Sequence, residues 1–441
     1  MQSSNWIHSL LEGTEKELCV KQFGCVTSIS GCFVEASYRQ CVVGEVALIH
    51  SGVKMVECEV VSIKKDTCLL APLSTLDGVG VGDSVEYKEQ LPSIKRMTNP
   101  FGKILDGFGE EVSDSIASNE LIKESLLLIS QPVSVFLKVP VKEKISTGSR
   151  IVDDILPLGL GQKVGIFAGS GVGKSTLLNK LHRSIDADVK IVAMVGERSR
   201  EVVDFYQKQM DSGLSKDTIL VASTSEDPPS LKRRAVYVAL AYAKYYCEQG
   251  LNVVVILDSI TRLAHALREI GISRYEPPVA RGYPPSVFAE LPRIVEQCGN
   301  FKGKGSITGI MSVLVDGDDE NEPVSDFMRG VLDGHFILDR KLANTGLYPS
   351  INMLRSRSRI IENVLNKEQL FFEKKVRQIY SEYSEIEDVV RTGIYQEGTS
   401  DDIDYVVKLK KQLDVELYSW KESVDKELVK DVLAFKENNT S

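Results

Sequence analysis

The spacing of apolar residues divides the chain into a β-rich first part, a middle in which strands and helices alternate, and a helical end. From Val20 to about Leu91, short alternating runs of apolar and polar residues, such as 54–62, are separated by glycine turns. Closely spaced short strands of this kind favour a small β-barrel, here over residues 20–91. Before it, residues 1–19 predict a short amphipathic helix that carries Trp6 and Leu10 on one face.

From about residue 151 the pattern changes to continuous apolar runs that alternate with helical stretches. The apolar runs are 164–167, 189–195, 218–222 and 253–257. Buried runs separated by helices imply a parallel sheet covered on both faces. We therefore predict an α/β core over residues 151–360, joined to the barrel by a connector of residues 92–150.

After residue 360 strand signals stop, and charged helix-forming sequence follows. Apolar residues recur in it mostly three or four positions apart: Val406, Leu413, Leu417, Trp420, Val424 and Leu428. This spacing is typical of one face of a helix. The stripe predicts the buried face of a small helical domain over residues 361–441, rather than a partner-binding surface.

A glycine-rich segment lies at the first strand-to-helix junction of the α/β core. Residues 163–176 read KVGIFAGSGVGKST, and Ala168 stands where a P-loop usually has its first glycine. Such a loop brings backbone N–H groups around a polyphosphate at a helix N-terminus. A dinucleotide fingerprint fits worse, because Lys174 occupies the position of its third glycine. The predicted nucleotide-binding residues are Gly169, Ser170, Gly171, Val172, Gly173, Lys174, Ser175 and Thr176.

Two carboxylates follow later strands of the same core. Asp258 ends the apolar run 251–257, where it could hold the shell of a Mg²⁺ ion bound by the hydroxyl of Ser175. Glu197 leaves another strand at the edge where ligands bind in open α/β sheets, so it could orient the attacking water. Arg198 could neutralise the γ-phosphate. Taken alone, Asp258 also fits a simple turn residue, and Glu197 with Arg198 fits a surface ion-pair cluster.

Three arginines, Arg355, Arg357 and Arg359, alternate along a segment that we predict to be extended, with their side chains on one side. They fit either a solvated basic strand edge or an arginine finger that reaches a phosphate in a neighbouring subunit. Just upstream, Tyr348 offers an aromatic face on which adenine could stack.

Composition narrows the class of protein. The 441 residues are 43% hydrophobic and 26% charged, as in soluble globular proteins, and the formal net charge is −9. This charge argues against a nucleic-acid binder. No apolar run is long enough for a membrane span and no secretory signal is evident, so we expect a cytoplasmic protein. Six of the eight cysteines precede residue 70 without zinc-ligand spacing, and we expect buried or half-buried thiols.

Together these motifs resemble the ATPases of bacterial type III export systems, relatives of the catalytic subunits of rotary F- and V-type ATPases. The resemblance covers essentially the full length, and its strongest stretches are 165–178, 196–202, 258–268, 276–278, 281–288 and 332–335. It implies an α/β, RecA-like P-loop core between a small N-terminal β-barrel and a C-terminal helical domain, with ATP as substrate and Mg²⁺ as cofactor.

The same resemblance implies a role for each site residue. The catalytic set would be Lys174, the catalytic carboxylate Glu197, the γ-phosphate contact Arg198 and the finger Arg359. Ser175 and Asp258 would serve Mg²⁺, and Tyr348 would stack on adenine. Because Arg355 and Arg357 stand where the family usually has small or apolar residues, Arg357 remains an alternative finger. Ser199 also replaces a usual glycine.

The implied function is ATP hydrolysis that energises protein export by a homo-hexameric ring. Implied partners are export-gate membrane proteins, a stator-like regulator, a central stalk protein and export chaperones, with no nucleic acid. The protein would be cytoplasmic and peripherally associated with the inner-membrane export apparatus. Residues 315–323 look more like flagellar than injectisome ATPases. The alternatives are an injectisome ATPase and, more remotely, a rotary ATP synthase catalytic subunit, a hexameric RNA translocase or a scaffold with a dead P-loop.

Overall fold

The computed structural model describes the chain in stretches interrupted by short gaps. They are residues 22–38, 40–52, 54–88, 90–112, 121–128, 134–211, 213, 216–315, 322–396, 398–420 and 424–435. The amphipathic helix predicted for residues 1–19 lies outside them. The chain divides into two units, Met1–Pro92 and Ser93–Ser441. Within the stretches described, no helix has both the length and the apolar character needed to cross a membrane.

The first unit contains a closed antiparallel barrel, as the alternating runs predict. Its strands are β1 (Gln22–Ser30), β2 (Phe33–Ser37), β3 (Val46–His50), β4 (Met55–Ile63), β5 (Thr67–Pro72) and β6 (Ser84–Tyr87). They close in the order β1-β2-β5-β4-β3-β6. Alternate residues such as Val34, Ile49, Val60 and Leu70 point inward and are fully buried.

The cysteines of the barrel differ in exposure. Cys58 and Cys68 are buried among the inward-facing residues, whereas Cys25 and Cys32 are exposed. The expectation of buried or half-buried thiols is therefore wrong for Cys25 and Cys32. Cys32 lies in the turn between β1 and β2, and Cys25 precedes the inward-facing Val26 on β1, so strand alternation directs its side chain to the outer face.

The second unit is built on a mostly parallel sheet. Its strands are β7 (Ser93–Met97), β8 (Ile104–Leu105), β9 (Leu121–Leu127), β10 (Lys138–Val139), β11 (Lys144–Ile145), β12 (Leu158–Gly159), β13 (Lys163–Ala168), β14 (Val189–Glu197), β15 (Thr218–Thr224), β16 (Asn252–Asp258), β17 (Gly299–Phe301), β18 (Ser306–Leu314), β19 (Gly334–Ile337) and β20 (Arg357–Ser358). β7 with β9 and β11 with β12 form separate two-stranded sheets, and the order of the central sheet is β20-β19-β13-β18-β16-β14-β15-β8. All of these neighbours pair in parallel except β19 and β20. β13 and β16 are therefore separated by one strand, β18.

Helices cover both faces of this sheet, and the pattern of apolar runs explains why. They are α1 (Lys174–Ser184), α2 (Ser199–Asp211), α3 (Pro229–Glu248), α4 (Ile260–Ser273), α5 (Pro285–Val295), α6 (Pro323–Val331), α7 (Arg340–Asn344), α8 (Ile361–Val364), α9 (Lys367–Arg391), α10 (Asp401–Leu417) and α11 (Lys426–Ala434). On β16, Val254 and Ile256 join the cluster that contains α1. Because side chains alternate along a strand, Val253 and Val255 point to the other face, where α3 packs. The predicted α/β, RecA-like architecture is confirmed.

The C-terminal helices bury the predicted apolar stripe. Val406, Leu413, Leu417 and Leu428 are buried, while Trp420 and Val424 are half-buried; all six join or pack on one hydrophobic cluster that also contains residues of β13 and β14. Two hydrogen-bonding side chains strengthen this packing. The Tyr418 hydroxyl donates to the Ile351 carbonyl at 3.0 Å, and the Arg377 guanidinium donates to the carbonyls of Met353 and Ser356. The helical end is thus attached to segment 348–359.

Part of the predicted connector contributes to the core sheet. β8 pairs with β15, and β10 pairs with β17. These two-residue strands are too short to stand out as periodic runs in the sequence. The five domain bounds drawn from the sequence stay predictions.

Candidate active site

The glycine-rich loop connects β13 to α1 at the C-terminal edge of the sheet. Gly171 and Gly173 have φ values of 76° and 92°, a left-handed conformation that other residues rarely adopt. A Cβ at Gly171 would meet no atom within 4 Å, whereas one at Gly173 would lie 3.1 Å from Tyr348 Cε1. The loop therefore presents backbone rather than side chains at these two positions. This geometry fits a polyphosphate held by N–H groups.

Tyr348, the residue that the sequence suggests for stacking on adenine, lies against this loop. The residue is 43% exposed, and the Cε1 edge of its ring faces Gly173. Two residues later, the buried Ser350 hydroxyl donates a 2.6 Å hydrogen bond to the Val172 carbonyl. This bond attaches the tyrosine segment to the phosphate loop, so the ring is held where a base attached to loop-bound phosphates could stack on it.

Lys174, at the start of α1, contacts Asp258, at the end of β16, although β16 is not a neighbour of β13, the strand that leads into the loop. The Lys174 ammonium contacts the Asp258 carboxylate, and the Ser312 hydroxyl of the intervening β18 donates to Asp258 Oδ1 at 2.5 Å. Ser175, at the start of α1, and Asp258 both line a cavity of about 350 Å³. A hydroxyl and a carboxylate beside a phosphate loop are the oxygen donors that a nucleotide-bound Mg²⁺ uses, so these residues fit the ion.

Glu197 reaches the same edge through a bulge in β14. The pairing of β14 with β15 shifts register between Val195 and Glu197, and the residue between them, Gly196, has φ 70°. A bulge re-aims the side chain that follows it. Glu197 is 3% exposed and Arg262 Nε lies 2.9 Å from its Oε1, while Arg262 Nη1 donates to the Gly196 carbonyl at 2.8 Å.

These surroundings alter the acidity of Glu197. Burial raises the pKa of Glu197 above its usual range, and the negative charge of Asp258 raises it further. The positive charges of Lys174 and Arg262 lower it and so offset part of this rise. A carboxylate with a raised pKa holds a proton more tightly, which suits a general base that works near neutral pH.

Two predicted residues are not brought into this cluster. Arg198 is exposed, and its backbone carbonyl accepts hydrogen bonds from Glu201 and Val202 at the start of α2. Arg359 lies just after β20, and its backbone N–H donates to the Asp333 carbonyl at the N-terminal end of β19. The P-loop follows the opposite, C-terminal end of the neighbouring strand β13, so Arg359 is remote from the phosphate loop of its own chain.

The prediction of three arginines along one extended segment is wrong for Arg355 and for Arg359, which begins the turn after β20. Only Arg357 lies in β20, while Arg355 sits in the preceding turn, with its Nη1 4.0 Å from Asp339 Oδ2. The turn forms because Asn352 Oδ1 accepts the backbone N–H of Arg355, and no apolar alternation reveals it. Arg355 and Gly169 both line a cavity of about 500 Å³.

Sequence reasoning assigned no role to two residues that lie in the cluster. Arg262 lies in the first turn of α4, directly after the strand that Asp258 ends, and this position in the sequence could have indicated that it lies near the same edge. Ser312 interrupts the apolar run 310–314 of β18, and a buried hydroxyl within such a run indicates a hydrogen-bonding task. Its partner could not be predicted without the strand order.

Family models match two parts of the chain. The model described as the ATP synthase alpha/beta family, nucleotide-binding domain, matches residues 148–358. The model described as the T3SS EscN ATPase C-terminal domain matches residues 365–417. The two matches together span β12 to β20 with the P-loop, and all of α9 and α10.

Curated relatives and solved structures are similar over most of the chain. The flagellum-specific ATP synthase of Bacillus subtilis (strain 168) is 39% identical over 412 residues, 92% of each chain. That of Borreliella burgdorferi is 39% identical over 410 residues, again 92% of each. The structure of the assembled ATPase EscN from the enteropathogenic E. coli type III secretion system has a TM-score of 0.85 and 33% identity, covering 93% of this chain and 98% of EscN. The structure of EscN in complex with its central stalk EscO has a TM-score of 0.83 and 32% identity, covering 93% of this chain and 100% of EscN.

Proposed function

This chain belongs to the ATP synthase alpha/beta family, among the flagellum-specific ATP synthases and type III secretion ATPases, and we propose that it hydrolyses ATP to energise protein export through a flagellar type III apparatus. The flagellar assignment is supported by the relatives, because flagellum-specific ATP synthases share 39% identity with the chain whereas EscN shares 33%. An injectisome role is the second candidate, since the chain and EscN superpose over 93% of the chain.

The observation that carries the ATPase mechanism is the meeting of three side chains from separate strand ends. Lys174 follows β13, Glu197 ends β14 and Asp258 ends β16, all at the C-terminal edge of one parallel sheet. Ligands bind at this edge in open α/β sheets. An amine, a buried carboxylate of raised pKa and a carboxylate beside a hydroxyl supply the groups that phosphoryl transfer needs.

In the proposed reaction, the P-loop backbone and Lys174 hold the β- and γ-phosphates. Glu197 accepts a hydrogen bond from a water and takes its proton as the water oxygen attacks the γ-phosphorus. The bond from the γ-phosphorus to the bridging oxygen breaks, and ADP leaves with that electron pair. Arg198 would contact the γ-phosphate, and Tyr348 would stack on adenine at the other end of the loop. Ser170, Val172 and Thr176 complete the predicted loop set.

Ser175 and Asp258 would hold Mg²⁺. When bound, the ion neutralises the charge that develops on the phosphate oxygens. The protein's part is to present the Ser175 hydroxyl and the Asp258 carboxylate at the same cavity, and both line it.

The proposed working form is a homo-hexameric ring in which Arg359 reaches the nucleotide of the next protomer. Support comes from the position of Arg359, which lies at the sheet edge opposite to the P-loop of its own chain. One EscN structure is that of an assembled ATPase, and another is that of EscN in complex with its central stalk EscO. We extend this to a central stalk, a stator-like regulator, export-gate proteins and export chaperones as partners. The ring would be cytoplasmic, would associate peripherally with the inner membrane and would not bind nucleic acid.

The decisive test of the mechanism is Glu197→Gln, which keeps the shape of the side chain but removes the base. Turnover should fall about 10²-fold or more, because general-base assistance is typically worth that much, while affinity for a fluorescent ATP analogue stays within about twofold. Lys174→Ala should weaken binding and turnover together. Glu248→Gln, which alters an exposed carboxylate paired with Lys304, is the matched control and should behave as wild type.

If Glu197→Gln turns over within a few-fold of wild type, Glu197 has no part in the chemistry.

The choice between export systems is tested by deleting the gene in its bacterium. Loss of flagellar filaments with secretion of other type III substrates intact supports the flagellar assignment, and the reverse result supports an injectisome role.

A further inference from the structure

Ser312 occupies the strand between the two strands that carry the phosphate loop and Asp258. β18 pairs in parallel with β13 on one side, where Ser312 is level with Ile166, and with β16 on the other, where Met311 is level with Leu257. Ser312 is fully buried, and its hydroxyl lies 2.5 Å from Asp258 Oδ1. This is a short bond to an ionised acceptor, the stronger kind of hydrogen bond.

Asp258 receives two side-chain contacts on one oxygen. Ser312 donates to Oδ1, and the Lys174 ammonium contacts the same atom. Within the stretches described, neither contact falls on Oδ2. A carboxylate held by one oxygen in this way has a fixed plane and keeps its second oxygen for another ligand. Since Asp258 and Ser175 line the same cavity, that ligand belongs on the Ser175 side.

In the proposed mechanism the Lys174 ammonium holds the β- and γ-phosphates, and we expect it to turn from Asp258 to the nucleotide when ATP binds. The carboxylate, only 8% exposed, would then lose its cation. Ser312 is the donor that stays, since it is part of a strand paired on both sides. The end of β18 is itself anchored, because the Leu314 N–H donates to the Thr261 hydroxyl at 2.8 Å.

From this geometry we infer that Ser312 is a positioning residue for the magnesium site: its hydroxyl holds the carboxylate of Asp258 in the orientation that receives Mg²⁺ after Lys174 has moved to the nucleotide. The inference rests on the proposed ATPase mechanism and adds a residue to it. Groups that orient a metal ligand typically contribute about 10- to 100-fold to metal affinity.

The chain offers a matched pair of variants for the test. Ser312→Thr and Ser312→Val have nearly the same shape, and only the first keeps a hydroxyl. Thr308→Val is the control, because Thr308 is also fully buried on β18 and its hydroxyl accepts the Gly161 N–H at 2.9 Å, away from Asp258. Melting temperature is measured for each, so that loss of folding is recognised directly.

Two readouts are taken on the full chain: affinity for a fluorescent ATP analogue in EDTA and in graded MgCl₂, and the concentration of MgCl₂ that gives half-maximal hydrolysis. In Ser312→Val, the MgCl₂ concentrations that tighten binding of the analogue and that give half-maximal hydrolysis should both rise about 10-fold or more. Its affinity for the analogue in EDTA should stay within about twofold of wild type. Ser312→Thr, which keeps the hydroxyl, and Thr308→Val should both keep the Mg²⁺ dependence of wild type.

Equal Mg²⁺ dependence in Ser312→Thr and Ser312→Val overturns the inference while leaving the proposed function standing, provided that wild type responds to Mg²⁺. If wild type itself neither binds nucleotide more tightly with Mg²⁺ nor hydrolyses it, the proposed function fails instead. An equal loss in Ser312→Val and Thr308→Val would make the hydroxyl a contributor to stability only, which also overturns the inference.

Discussion

At the scale of single residues, the placement of Glu197 depends on a backbone feature and on the contacts of one arginine. Gly196 takes the left-handed conformation that lets β14 bulge, and a Cβ at that position would lie 3.2 Å from Arg262 Cβ. The same arginine binds the Gly196 carbonyl and pairs with Glu197. Arg262 therefore acts on both the position of the carboxylate and its charge.

This arrangement predicts the effect of Arg262→Gln on the pH dependence of hydrolysis. A general base works in its ionised form, so activity is lost as the pH falls through the pKa of Glu197. Arg262 lowers that pKa, which means that its removal lets burial and Asp258 raise the pKa further. The acidic limb of the pH–rate profile should move to higher pH in Arg262→Gln. An unmoved limb would show that Arg262 does not act through the charge of Glu197.

At the scale of elements, α1 both begins at the phosphate loop and buries a histidine. His182 is fully buried in its last turn, with Nε2 3.0 Å from the Thr218 hydroxyl of β15 and its ring edge-on to Phe205 of α2. Burial, and next the positive charge of Lys190, lower the pKa of His182 to about 4. The packing of α1 against the sheet therefore requires the neutral imidazole.

The packing of α1 against the sheet should therefore weaken as the pH falls. The unfolded chain binds the proton near pH 6.5 and the folded chain only near pH 4, so the contribution of His182 is complete above pH 6.5 and is lost as the pH falls between these values. The loss should approach roughly 3 kcal/mol in the free energy of unfolding. Urea unfolding from pH 7.5 to 4 should show a shallower decline for His182→Gln than for wild type. Parallel declines in the two proteins would contradict this account.

At the scale of the whole molecule, the proposed active site is incomplete in one chain. Arg359 donates to the Arg329 carbonyl at 3.0 Å, remote from the P-loop, whereas Lys174, Asp258 and Glu197 lie together. If Arg359 serves a neighbour, hydrolysis should rise more steeply than linearly with protein concentration as rings form. Arg359→Ala should lower turnover by about 10³-fold, as arginine fingers do elsewhere.

Mixing two inactive variants tests the sharing of sites directly. Arg359→Ala subunits keep their P-loop and Lys174→Ala subunits keep their finger, so about one quarter of the interfaces in a random mixture would be intact. Activity should return on mixing. The control replaces Lys174→Ala by a chain that carries both changes, which leaves no intact interface with Arg359→Ala. No recovery in the first mixture, or a larger loss in Arg357→Ala than in Arg359→Ala, would remove Arg359 from the role of finger.

The sequence predicted the features that depend on local patterns and missed those that depend on strand order. The P-loop, the strand ending at Asp258 and the parallel sheet all follow from short-range spacing, whereas the RecA-like core was expected from the resemblance. The contact of Ser312 with Asp258 needs β18 between β13 and β16, which no periodicity reveals. Arg355 was misplaced because the Asn352 side chain turns the backbone there, overriding an alternation that looked like a strand.

Segment 348–359 has one further consequence. Its first residue, Tyr348, lies on the phosphate loop of its own chain, and its last, Arg359, is proposed to serve the next chain, while Tyr418 and Arg377 of the C-terminal helices hold the carbonyls between them. In such a ring, a shift of those helices would displace residues of two active sites at once. A protomer that releases adenine from Tyr348 would at the same time displace the Arg359 that serves its neighbour. Hydrolysis in adjacent subunits would then be coupled in sequence through this single segment.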